Sequence, residues 1–179
     1  MSKLGITRPT AVVDLVTNLD LLADHQAARN ELDRLNKLTS AAERLNNPYS
    51  ADMRAVAAKI ADLEKQMDES TVCVKLKAIK RAEYAELVAA HPAREDNDVD
   101  AAFGFNTDTF ADAAMPKSIV SAWKKATGKK VDFTGEDWAE VSEEFTDAQY
   151  SDFTSALIGI NRQATGVPFS QTASVVNRS

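Results

Sequence analysis

Asp52-Met53-Arg54-Ala55-Val56-Ala57-Ala58-Lys59-Ile60-Ala61-Asp62-Leu63-Glu64-Lys65-Gln66-Met67 is the stretch that decides the fold. Met53, Val56, Ile60, Leu63 and Met67 recur at alternating spacings of three and four, the rhythm that lays one apolar seam along an α-helix. Arg54, Lys59, Asp62, Glu64 and Lys65 fall between them, where they can stay in water. Upstream, Leu21 to Leu45 carries a looser seam through Ala28, Leu32, Leu35, Leu38 and Ala42. Asn46-Asn47-Pro48-Tyr49-Ser50 separates the two and supplies a helix stop, a turn and a new N-cap. Helices joined so closely run antiparallel and pair as an αα-hairpin.

The hairpin is flanked by strand signals. After it, Val72, Val74, Leu76 and Ala78 alternate with Cys73, Lys75 and Lys77, which predicts a strand with one apolar and one wet face. The outward lysines also discourage edge-to-edge aggregation. Before it, Ala11 to Leu19 sets Val13, Leu15 and Leu19 against Asp14 and Asn18, and reads as a second strand despite Val12 and Val16. Asp20 then stands where it can cap the first hairpin helix. If the two strands pair, the hairpin is one long excursion between them, and an antiparallel hairpin returns its ends to one place.

Beyond the second strand, a helix is expected over Arg81 to Ala90, with Tyr84, Leu87 and Val88 inward and His91-Pro92 ending it. Ala93 to Asp100, with the run Arg94-Glu95-Asp96-Asn97-Asp98, is a charged loop and the natural boundary between two halves. Helices are expected at about Pro116–Ala126, Glu136–Glu144 and Asp147–Gln163. Thr134 stands three before Asp137 and Thr146 three before Gln149, the second a capping box. Gly128 closes the first of these helices and Gly166-Val167-Pro168 the last. The fold class is therefore mainly α with a small antiparallel β element (α+β): a long antiparallel helical hairpin inserted between two paired strands, then a C-terminal helical bundle. The divisions are 1–92, a linker at 93–102, a C-terminal helical unit at 103–166, and a polar tail at 167–179.

Composition excludes more than it identifies. Apolar residues make up 44% and charged residues 27% of 179, an ordinary globular balance. A net charge of -6 with no basic stripe argues against a nucleic-acid partner, which requires a cationic face. No apolar run approaches the ~20 residues that span a bilayer, and no signal peptide is expected at the N-terminus. A lone cysteine, Cys73, cannot close an internal disulfide and suits a reducing compartment. A cytosolic chain is the expectation.

Chemistry-bearing motifs are scarce. His25 and His91 are the two histidines, and neither stands at metal-ligand or nucleophile-base spacing with Cys73. His25 is expected in water, and His91 at a helix end. Gly104 is isolated, so there is no phosphate-cradling loop. Glu95-Asp96-Asn97-Asp98-Val99-Asp100 invites comparison with a calcium loop, but Asp100 and Asn106 stand where such a loop needs glycine and a distal glutamate. A solvated loop is the expectation, with no metal, no cofactor and no catalysis. The knot Phe103-Gly104-Phe105-Asn106-Thr107-Asp108-Thr109-Phe110, with Trp123 and Trp138 downstream, is dense for a chain that is 7% aromatic. Phe103, Phe105 and Phe110 read either as a partner-binding patch or, with greater weight, as a small helical core.

In combination, these motifs resemble the tail assembly chaperone-like proteins of long-tailed bacteriophages and prophages of actinobacteria. The resemblance rests on Asp20-Leu21-Leu22-Ala23 entering an Ala/Glu/Leu-rich helix and on Met67-Asp68-Glu69-Ser70-Thr71-Val72 leading into a strand. It continues through Arg81-Ala82-Glu83-Tyr84-Ala85-Glu86-Leu87-Val88-Ala89-Ala90-His91-Pro92-Ala93-Arg94-Glu95, the aromatic knot, and Ala156-Leu157 to Asn161-Arg162. The insert Lys124 to Phe133 and the tail after Arg162 lie outside it. The resemblance implies a host-cytoplasmic, homo-oligomeric assembly factor. Its partner would be the tape measure protein, kept soluble until tail tube protein subunits polymerise around it. A structural virion component or an oligomeric coiled-coil adaptor is the alternative. Part of that family also makes a longer product by ribosomal frameshifting.

Overall fold

The computed structural model describes residues 5–38 and 49–162. Ala42, Leu45 and Asn46-Asn47-Pro48 of the expected hairpin, and the tail from Gln163 onward with Gly166-Val167-Pro168, lie outside the described residues.

Strand β1 (Thr10–Val16) leads into helix α1 (Asp20–Leu38), helix α2 (Ala51–Ser70) and strand β2 (Thr71–Lys77). The two strands pair antiparallel with Val13 opposite Val74 and Leu15 opposite Val72, so the helical hairpin is an excursion between paired strands. Acidic Asp20 sits in the first turn of α1, where the helix dipole favours it. Ser50 caps α2, its hydroxyl accepting from the Met53 amide at 3.2 Å. Helix α3 (Arg81–Ala90) ends at His91, as the following proline requires.

Helices α4 (Asp98–Phe103) and α5 (Thr107–Ser118) follow, then strands β3 (Ile119–Lys124) and β4 (Lys130–Val131). A 3₁₀ turn at Gly135–Asp137, helix α6 (Trp138–Ser142) and helix α7 (Asp147–Arg162) complete the described chain. The class is mainly α with one four-stranded antiparallel sheet in the order β1-β2-β3-β4.

The helix expected at Pro116–Ala126 is a correction. Pro116 lies in the last turn of α5, and the chain from Ile119 is strand. Ile119 and Val120 are β-branched and suit a strand. Ile119 packs against the core and Ala122 is buried in it while Val120 is 55% exposed, because the register shifts opposite Lys75 and Leu76 and breaks the simple alternation that marks a strand. The Ser118 hydroxyl fixes the switch by donating to the Lys77 carbonyl at 2.9 Å. Gly128 is therefore no helix stop: at φ +66 it turns the β3–β4 hairpin, where Lys124 N–H donates to the Lys129 carbonyl at 2.8 Å. Both capping boxes form, Thr134 with Asp137 and Thr146 with Gln149.

One face of the sheet carries Val13, Leu15, Val72, Val74, Leu76 and Ala122 into the core. Phe105, Phe110, Met115, Trp138, Phe153 and Leu157 close it from the helical side. This core is continuous across residues 93–102, and β2 bonds directly to β3, so both halves share one sheet. Helix α4 occupies the end of the stretch read as a charged loop. On the other face Lys75 and Lys77 are half-buried. Among the described residues, no helix is long and apolar enough to cross a membrane.

Candidate functional site

The hairpin α1/α2 stands apart from that core. Its buried residues are Ala28, Met53 and Leu63, and none of them belongs to the main core cluster. Leu21, Leu32, Val56, Ile60 and Met67 line the same seam but remain half-buried. Two helices can cover each other's stripe on one side only; in a bundle, further helices cover the rest. At 1.5 Å per residue each helix is roughly 30 Å long, so the arm reaches well beyond the sheet.

Its root is fixed by short-range bonds. Helix α2 runs into β2 without a loop, Ser70 being the last helical residue and Thr71 the first of the strand. Thr17 donates to the Ser70 carbonyl from both N–H and Oγ1, at 3.1 and 2.6 Å. Lys125, from the turn after β3, places Nζ 3.1 Å from Asp68 on α2 and 3.2 Å from Asp14 on β1. Both carboxylates raise its pKa by holding the cation. Along the arm, His25 is not fully in water as expected: Nε2 lies 3.2 Å from Glu64, joining the two helices.

At the far end, Leu32, Asn36, Tyr49, Met53, Arg54 and Ala57 line a groove of about 180 Å³. Leu38 and Tyr49, the described residues nearest the arm's tip, are 67% and 61% exposed. A second groove, about 200 Å³, lies at the root between Leu15, Val16, Leu19, Val141, Phe145 and Gln149.

The aromatic knot lies elsewhere, and its partner-binding reading is a correction. Phe105 and Phe110 are each 1% exposed, stacked with centroids 3.9 Å apart. Phe103 is half-buried, 5.8 Å from Phe105, and Arg162 stacks over Phe105 while donating to the Phe103 carbonyl at 2.6 Å. Tyr84 meets Phe110 edge-on at 5.4 Å. The density of rings builds core because α5 lies against α3 and α7, so rings from α5 and the turn before it face inward. Trp138 is fully buried, its indole N–H donating to Asp112 at 3.1 Å, while Trp123 is half-buried on β3.

The acidic run is solvated at Glu95, Asp96 and Asp98, and its last residue is a correction. Asp100 is fully buried, not solvated. It accepts from Arg94 Nε at 2.6 Å, from the Thr107 amide at 3.0 Å and from Thr107 Oγ1 at 2.7 Å. These donors hold its carboxyl well below the usual carboxylate range. Arg94 also bonds Asp108, and its pKa is raised by the two carboxylates. The set staples α4 to the start of α5 and uses every oxygen of Asp100, which leaves nothing for a cation.

Side chains able to do acid-base or nucleophilic work are scattered. His91 Nδ1 lies 2.9 Å from Thr109 Oγ1 at the α3 terminus, far from the His25–Glu64 pair on the arm. Cys73 is buried and its pKa is pushed up to about 11, mainly by burial and then by its bond to Asp14. Among the described residues, no three His, Cys, Asp or Glu groups are placed to hold a metal ion. Comparison with protein-family models, curated proteins and solved structures finds no match to this chain.

Proposed function

We propose that the chain is a binding protein whose arm takes up an extended apolar helix, in the manner of the tail assembly chaperones its sequence resembles. On this reading the client is the tape measure protein, held soluble in the host cytoplasm until tail tube protein assembles around it, and the chain performs no catalysis. The observation that carries the proposal is the half-covered seam of an arm that contributes nothing to the main core. A third helix laid along Leu21, Leu32, Val56 and Ile60 would finish burying that stripe, at roughly 25 cal/mol for each Å² of apolar surface removed from water. The mixed charges around it, including the Glu31–Arg34 pair at 2.7 Å, keep the unliganded arm in solution.

The client surface thereby moves from Phe103, Phe105 and Phe110 to the arm. Co-expression with the neighbouring tape measure gene tests it. The client should become soluble and co-purify, and Leu38→Asp with Tyr49→Asp should weaken the capture without lowering the melting temperature. A tape measure protein equally soluble with and without this chain overturns the reading. Stoichiometric presence in purified mature particles would favour the virion-component or adaptor alternative.

A further inference from the structure

Strand pairing gathers cations that the sequence holds apart. Strand β2 and residues 119–131 carry Lys75, Lys77, Lys124, Lys125, Lys129 and Lys130 and no carboxylate, in a chain of net charge -6. The two segments are far apart in the sequence, so no basic stripe shows along it. In the fold β2 bonds to β3 and β3 to β4, which brings them side by side. Residues paired across an antiparallel ladder share a face of the sheet. Trp123 stands between Cys73 and Lys130, Lys75 between Val12 and Ser121, and Lys77 opposite Thr10. All of these lie on the face opposite Val13, Val74 and Ala122, which the helices cover.

This outer face turns its charge to water. Thr10, Val12 and Lys130 are exposed. Lys75 and Lys77 are half-buried, their stems lying on the sheet while the ammonium groups stay out of the interior. Lys75, Lys77, Lys124, Lys129 and Lys130 have no carboxylate partner among the described residues. Lys125 is committed to Asp14 and Asp68, and Asp14 is the one carboxylate that the strands place on this face. Asp132 comes one residue after β4. Trp123 sits among the lysines, with Lys130 beside it and Lys75 on the diagonal. It is half-buried and pairs with no other ring among the described residues. Its indole N–H has no protein partner there and is not buried.

We propose that the outer face of the sheet binds single-stranded nucleic acid, its phosphates on Lys75, Lys77 and Lys130 and a base stacked on Trp123. Lys75 and Lys77 are two apart along one strand, which sets their stems roughly 7 Å from each other. Lysines in such a row act as mobile point charges, and a flexible polyanion can follow them without a fixed fork geometry. An acidic protein segment would satisfy the same cations but make no use of an unpaired indole, whereas every base has a π-face for it. A duplex keeps its bases stacked on one another and has none to give Trp123. Charge on the rest of the chain is net negative, which confines a polyanion to this face. The face shares no residue with the seam of the arm, so this proposal and the arm's client stand or fall separately.

Titration of the full chain with an oligothymidylate of about 15 nucleotides, read by tryptophan emission and by anisotropy of a labelled strand, tests this. Trp138 is fully buried, so quenching on binding reports Trp123. Emission should fall as the strand binds, and the affinity should drop steeply with added salt. Lys75→Gln with Lys130→Gln should weaken binding several-fold and flatten the plot of log Kd against log salt by roughly 0.7 for each lysine removed. Trp123→Leu should weaken binding at least about fivefold with the salt slope unchanged. No binding at low salt, binding without quenching, or affinities unmoved in both variants would each overturn the proposal. Oligoglutamate competing as well as the oligonucleotide would overturn it in favour of an acidic protein partner, and a duplex bound equally tightly would remove the stacked base. If Trp123→Leu fails to fold, quenching in the parent decides.

Discussion

Arg94 closes on Asp100 with Nε 2.6 Å from a carboxylate oxygen that has no contact with solvent. A charge buried this deeply is tolerated only when every lone pair is met, and here Thr107 and the Arg94 amide complete the set. The carboxyl is held below its ordinary range, first by Arg94. The stabilisation is therefore fully present above the unfolded-state pKa of about 3.9, and is lost as pH falls from there toward the lower folded value. We expect Asp100→Asn to lower the melting temperature at pH 7, with the gap between variant and parent shrinking between pH 4 and pH 2. A gap independent of pH would assign the loss to shape and not to charge.

Phe105→Ala should destabilise the chain by about 3–5 kcal/mol, because the ring is 1% exposed and stacked between Phe103 and Phe110. Chemical denaturation reads this directly. A loss below about 1 kcal/mol would return the aromatic knot to the surface.

The elements with their own rhythm were legible in the sequence. The Met53–Met67 seam, the strand at Val72–Ala78 and the cap at Ser50 each carry their signal within a dozen or so residues and form where expected. The second face of β2 is not the wet one expected: Cys73 is buried and Lys75 and Lys77 are half-buried, because β2 lies between β1 and β3. Strand β3 was not legible, because six residues after a proline give too short a pattern to outweigh a helix-start signal. Asp100 was hidden for a different reason. Its burial depends on Arg94, in the loop six residues before it, and on Thr107, at the start of the next helix seven residues after it, so no single helix or strand carries the pattern. The arm's separation from the core was equally invisible, since a self-packing hairpin and one packed against a domain carry the same seam.

Cys73 should resist alkylation in the native state. Burial and the Sγ–H bond to Asp14 at 3.2 Å push its pKa up to about 11, so at pH 8 the reactive thiolate is almost absent. The contribution to stability is fully present below the unfolded-state value of about 8.5, and is lost as pH rises from there toward 11. Iodoacetamide labelling followed by mass spectrometry should show modification only as fast as the chain opens. Rapid stoichiometric labelling at pH 8 would contradict the burial.

Leu63→Asp tests how far the arm is energetically its own unit. Leu63 is 6% exposed in the arm's private seam, so an aspartate there must either lose its charge or separate the helices, at a cost of several kcal/mol. Because the seam shares no residue with the main core, that cost should fall on the arm and spare the sheet. Hydrogen exchange by mass spectrometry distinguishes the two outcomes. Amides of α1 and α2 should lose protection in the variant, while Val74 and Leu76, fully buried in β2, keep theirs. Simultaneous loss in both regions would mean that the arm and the body unfold as one, and that the root bonds from Thr17 and Lys125 couple them more tightly than their separate cores suggest.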